Sequence, residues 1–232
     1  MSALVSYELA DSIATITMDD GKVNALSPQM LSELNGAFDR AEDDGAAVVL
    51  TGREGVFSAG FDLKVLTGGG AGGPDLLRAG FETSVRMLSF PGPVVVACGG
   101  HALAMGLFLV LSGDYRIGAA GEFKIGANEV AIGMIMPQTA IEICRQRVAA
   151  PFLSRVIDNA EIFRPEEAVA AGCLDRVVRG EELREAARST AGRLAALDRA
   201  AHAATKLRLR GPALAAMKAT IEADDAEFRA VS

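Results

Sequence analysis

Apolar and polar residues alternate over 5–9 and 13–18, which predicts two strands joined by a turn at Asp11-Ser12. Residues 19–25 read as a loop. Ser27 and Pro28 then supply an N-cap and a first helical residue, and Leu31, Leu34 and Phe38 fall on one face of a helix over 28–43. The short apolar run 47–50 predicts a strand buried on both faces, as in a parallel sheet. The glycine-rich stretch 66–74 predicts a mobile loop. A helix over 75–89 carries Leu76, Phe81, Val85 and Leu88 on its apolar side. A buried strand is expected at 94–98, a helix at 105–112, and short strands at 115–118 and 123–125. Helices follow over 137–148, 151–159 and 165–171, the last stopped by Gly172. Further helices at 181–197, 200–208 and 212–229 fill the final third. Strand-strand-helix units followed by helices predict an α/β fold with parallel sheets and a helical C-terminal region.

With 232 residues, half of them hydrophobic, the chain has length for one large domain or a domain with a helical appendage. Its net charge of −7 argues against nucleic-acid and acidic-membrane partners, but leaves room for an anionic small ligand at a local basic patch. Cys98, Cys144 and Cys173 are scattered, odd in number and set among apolar residues. Buried free thiols and a cytoplasmic location are therefore expected. His101 and His202 lie far apart and offer no metal-binding spacing. The N-terminus has no signal-peptide pattern. Residues 87–113 carry no charge and are long enough to span a membrane. Pro91, Pro93, Gly92, Gly99, Gly100 and Gly106 interrupt them, so they read as strand, turn and buried helix, with no membrane partner.

Two segments carry the candidate chemistry. FSAGFDLK (57–64) and, about 40 residues later, GGHALAMG (99–106) both read as sharp turns after a buried strand, with backbone N–H groups left free. Two N–H groups aimed at one point form an oxyanion hole. Glu129, between Asn128 and an apolar run, is a desolvated carboxylate suited to moving protons. Together they point to enolate chemistry on an activated carbonyl.

Five segments, in order, resemble the crotonase superfamily of enoyl-CoA hydratases and isomerases: NALS from Asn24, FSAGFDLK, PVVVACGGHALAMG, NEVAIGMIMP and RPEEAVAAGCLDRVV. The resemblance covers nearly the whole chain. It implies a ββα spiral core over 1–175 and a helical region over 176–232 that serves oligomerisation and covers the pocket, in a homotrimer or dimer of trimers. It further implies an acyl-CoA thioester substrate and no cofactor beyond the coenzyme A of that substrate. By the same resemblance the N–H groups of Phe61 and Met105 are the oxyanion donors and Glu129 is the catalytic carboxylate. Ala59, Gly60, Asp62, Leu63 and Lys64 line the coenzyme A site, with Gly106, Phe108 and Asn128 at the acyl end. Lys64, Lys22 and Lys206 are candidates for the phosphates.

Hydratases of this superfamily carry a second glutamate where Phe108 stands. The family's triple-glycine turn is here Ala104-Met105-Gly106. Phenylalanine can neither hold nor deprotonate water. One carboxylate can instead move a proton from C2 to C4, which favours Δ3–Δ2 enoyl-CoA isomerisation. Hydration is the alternative, with Glu82 or Glu122 as a substitute carboxylate. A non-catalytic acyl-CoA binding protein is a further one. His101 reads as a packed turn residue, and Asp62 as a brace for its own turn.

Overall fold

The opening alternation becomes a hairpin of β1 (Val5–Ala10) and β2 (Ile13–Met18) in the computed structural model, which describes residues 3–231. Asp11 and Ser12 both take positive φ, 53° and 59°, which matches the twist of a two-residue hairpin. Ser27 caps α1 (Pro28–Asp43) by accepting the Met30 N–H at 3.2 Å, and Pro28 sits where no helical N–H is needed. Parallel to β2 run β3 (Ala47–Thr51), β5 (Val94–Cys98), β7 (Tyr115–Ala119) and β9 (Arg176–Val178), in the order β1-β2-β3-β5-β7-β9. Side chains alternate between two cores. Val48, Leu50, Val94 and Val96 join Leu34 and Phe38 of α1 on one face. Val49, Val95, Ala97 and Ile117 pack under α8 (Leu183–Ala195) on the other. Two covered faces explain the unbroken apolar runs.

A second, three-stranded parallel sheet holds β4 (Gly55–Ser58), β6 (Gly100–Leu103) and β8 (Ile125–Gly126), with β6 in the centre. Its first two strands are not legible in the sequence, where 99–106 reads as a turn. They are made of small and mixed residues because they lie unusually close: a side chain on Gly100 would overlap Gly55. The strand expected at 123–125 reduces to β8, and β9 also goes unpredicted.

Several predicted bounds move. Asp62 caps a single turn, α2 (Leu63–Leu66), and α3 (Gly72–Ser89) begins inside the predicted loop, which shrinks to 67–71. Pro74 fits there because a first helical turn needs no N–H. The short α4 (Met105–Leu111) is buried all round. After α5 (Gln138–Arg145), the helix expected over 151–159 divides into a 3₁₀ turn and α6 (Leu153–Ile157). α7 (Pro165–Ala170) stops before Gly172, at φ 79°. The two helices expected after residue 199 are one, α9 (Arg199–Val231), which continues through Pro212. The proline removes one helical bond, and Met217 and Ile221 beyond it pack into the core.

Candidate active site

The small sheet delivers three segments to one place. β4 runs into the turn 59–62, β6 into Ala104 and α4, and β8 into Ala127, Asn128 and Glu129. The strands are parallel, so all three carboxyl ends meet at one edge, where open α/β sheets bind ligands.

The first turn is stapled to residues 23–26. The Leu26 N–H donates to Gly60 O at 2.8 Å, and the Asp62 N–H donates back to Leu26 O at 3.2 Å. In a trans peptide the N–H points opposite the carbonyl, so the Phe61 N–H is aimed away from Leu26. Asn24 braces the turn from below. It is fully buried, and its side-chain amide donates to Met18 O at 2.9 Å and Phe57 O at 3.1 Å. Its own carbonyl accepts the Ser58 hydroxyl at 2.7 Å, and Ser58 Oγ accepts the Gly60 N–H at 3.1 Å. Sequence reasoning missed this brace: its partners lie up to 34 residues away.

The second turn is set by Ala104, with φ 51° and ψ −126°, a conformation that favours glycine. Its carbonyl accepts the Phe108 N–H at 3.2 Å, which points the Met105 N–H back off the start of α4. The two turns touch. A Cβ built on Gly60, itself at φ 94°, would lie 2.8 Å from Ala104 Cβ and 3.3 Å from Met105 N. Among the described residues neither the Phe61 nor the Met105 N–H has an acceptor.

Between these turns and Glu129 lies a cavity of about 80 Å³. Of the residues singled out in the sequence, Ala59, Phe61, Leu63, Phe108, Asn128 and Glu129 line it. Ala104 of the second turn and Met134 line it too. Leu66, Leu77, Phe81, Ile132 and Pro137 also line it and were missed, because their apolar identity signals core as readily as pocket. Glu129 is 7% exposed, and its Oε2 has no partner among the described residues. Burial pushes its pKa up to about 7. Three of the lining residues are phenylalanines, with Phe61 edge-on to Phe81 at 6.3 Å and Phe81 6.4 Å from Phe108. The site thus brings two unused N–H donors and one carboxyl, whose pKa burial raises to about 7, to a cavity lined by three phenylalanines.

Other predicted residues fall around or away from it. Asp62 accepts the Lys64 N–H at 3.0 Å and so braces its turn. Lys64 and Lys22 are exposed outside the lining. Gly106 lets α4 close onto Ser58. His101 packs edge-on to Phe123, and its Nδ1 accepts the Lys124 N–H at 2.9 Å. Lys206 is no phosphate partner: it is 5% exposed and donates to Asp114 at 2.7 Å and Gly92 O at 3.1 Å. Glu82 and Glu122 are no substitute carboxylates. Both are exposed, paired with Arg78 and Arg164, and absent from the cavity wall.

Residues 8–231 match the family model described as enoyl-CoA hydratase/isomerase. A probable enoyl-CoA hydratase of Mycobacterium avium is 32% identical over 96% of this chain and 83% of its own. Among solved structures, an enoyl-CoA hydratase/isomerase family protein of Pseudomonas syringae superposes with TM-score 0.96 at 48% identity, over 97% of this chain and 98% of that one. An enoyl-CoA isomerase of Mycobacterium tuberculosis superposes with TM-score 0.95 at 49% identity, over 98% and 100%.

Proposed function

The chain belongs to the enoyl-CoA hydratase/isomerase family and is an enzyme of the crotonase superfamily, and from that premise we propose that it is an enoyl-CoA isomerase with Glu129 as its single proton shuttle. The substrate is a 3-enoyl-CoA. Its thioester oxygen accepts hydrogen bonds from the Phe61 and Met105 N–H groups. The Glu129 carboxylate takes a proton from C2, and the electron pair spreads over the thioester and the double bond as a dienolate. The same proton returns at C4, which leaves a 2-enoyl-CoA and a restored carboxylate. Each donor stabilises the developing oxyanion by roughly 3–4 kcal/mol. Ala59, Gly60, Asp62, Leu63 and Lys64 border the coenzyme A arm, and Phe108, Gly106 and Asn128 the acyl end. No cofactor takes part beyond the coenzyme A of the substrate. The enzyme works in the cytoplasm as a homotrimer or dimer of trimers, which sedimentation would test.

One observation carries this reading: Glu129 is the only carboxyl on the cavity wall among the described residues, and Phe61, Phe81 and Phe108 stand among the other residues of that wall. A base with a pKa near 7 is matched to proton transfer at neutral pH. Purified protein given 3-enoyl-CoA should form the 2-enoyl isomer, and Glu129→Gln should slow this about a thousandfold. Full turnover by that variant would discard the mechanism. Hydration is the competing reading, favoured by the hydratase name of the M. avium relative. It needs a second group to hold water. Rapid hydration of crotonyl-CoA, with no isomerisation, would establish it.

A further inference from the structure

We propose that Gly80, on α3 and outside both turns, is a positioning residue for the two donor amides. The notch left by its missing side chain seats the side chains of Phe61 and Met105 together. The inference rests on the oxyanion reading above.

A Cβ built on Gly80 would lie 2.5 Å from Phe61 Cζ and 3.6 Å from Met105 Cε. The residues that carry the two free N–H groups, 44 positions apart in sequence, thus converge on one point of a third element. A glycine inside a helix weakens it, and the adjacent Ala79 shows that α3 accepts a methyl elsewhere. Gly80 is also buried and has an ordinary helical φ, so its effect on its neighbours is steric rather than conformational.

The surroundings leave few ways to absorb a methyl there. α3 is tied back to α9 by Arg78 with Glu222 and Asp225, and by Asp75 with Arg229. Phe81 flanks the Phe61 ring, and Phe108 backs Phe81. The bonds from Leu26 to Gly60 O and from Phe108 to Ala104 O fix which way each N–H points. They do not fix how far apart the two N–H groups stand. The pairing of β4 with β6 and the contact of Gly60 with Ala104 bring the two turns together, and the shared seat at Gly80 is the further contact that holds the two residues relative to each other. Ordinary carbon contacts need about 3.5–4.0 Å, so a methyl would drive the Phe61 ring about 1 Å from α3. The proposal requires the ring to carry the Phe61 N–H with it, and misplacement of a donor by about 1 Å is enough to lose about a hundredfold in rate.

Carbonyl polarisation reads the donors without requiring turnover. The experiment is the ¹³C chemical shift of [1-¹³C]butanoyl-CoA, a saturated thioester, bound to wild type, Gly80→Ala and Gly80→Ala/Phe61→Leu. Wild type should shift the bound carbonyl downfield. Gly80→Ala should bind the thioester but lose half or more of that shift, with kcat on 3-enoyl-CoA down 10- to 100-fold. The double variant, with a smaller side chain in the notch, should regain the shift and at least tenfold of the rate. A full shift in Gly80→Ala with only weaker binding would mean the displaced ring merely crowds the cavity, and would overturn the proposal. No shift in wild type, or no binding, would instead overturn the oxyanion reading and this inference with it. If Gly80→Ala does not fold, Phe61→Ala empties the notch without crowding it. Its shift should fall by half or more, and an unchanged shift overturns the proposal.

Discussion

Burial holds the Glu129 carboxyl near pKa 7, against 4.5 in an unfolded chain, and this ties activity to stability. Between those values the folded state binds more protons than the unfolded one, so the stability of the protein falls as pH rises through the window. Glu129→Gln removes the titration. Its advantage in unfolding free energy over wild type should grow by about 2 kcal/mol between pH 5 and pH 8, measured in urea at each pH. A constant difference would mean that the carboxyl is not held neutral. Proton abstraction needs the ionised form, so the kcat/KM for isomerisation should rise through pH 7 over the range where stability declines. Ala104 is the second residue under tension. Its backbone sits where glycine belongs, at a cost of about 1–3 kcal/mol. Ala104→Gly should therefore raise the unfolding free energy by about 1 kcal/mol, after the added freedom of the unfolded chain is set against it. Glu129, Phe61 and Phe108 are legible in the sequence because motifs mark them. The strain at Ala104 is not, because alanine is ordinary in most turns.

Elements whose ends are closed by near neighbours are the ones the sequence predicts well. Ser27 and Pro28 lie within three residues of the groups they serve, and α1 has the predicted bounds. The start of α5 is closed from a distance. Pro137 gives it no side-chain cap, and Asp224 of α9 accepts the N–H groups of Gln138 and Thr139, each at 2.9 Å, and the Thr139 hydroxyl at 2.7 Å. Asp224 is 2% exposed, and its loss leaves the buried Thr139 N–H without an acceptor, while the Thr139 hydroxyl keeps Thr220 and the Gln138 N–H lies nearer the surface. Asp224→Ala should cost about 1–3 kcal/mol. Amide exchange at 138 and 139 should quicken by more than at 28–43. Equal quickening in both helices would mean global loosening rather than loss of a cap. The same reach explains β4 and β6: their closeness depends on Gly55 meeting Gly100, and no pattern within either strand reports it.

At the scale of the molecule, one carboxylate joins the C-terminal helix to the sheet. Asp114 precedes β7, accepts the Val94 N–H at 2.7 Å, and pairs with Lys206 at 2.7 Å and Arg210 at 2.8 Å, all nearly buried. Burial lowers the Lys206 pKa to about 8. Asp114→Ala would leave two cations in the interior without their partner, and should cost about 3–5 kcal/mol in urea unfolding. A loss below 1 kcal/mol would show that water reaches the cluster. Within the chain, residue spacing alone determined which segments become helical and which form the buried strands β3, β5 and β7 of the large sheet, which faces they bury, and which three segments are candidates for the chemistry. Helical and strand periodicity, caps and turn residues act over a few positions, so a linear sequence displays them. Tertiary structure alone decided that β4, β6 and β8 end at one edge, that Asn24 braces the first turn, and that Lys206 and Glu82 serve elsewhere. Those outcomes depend on contacts between segments tens of residues apart, where geometry follows from the packing of the whole chain rather than from any short run of it.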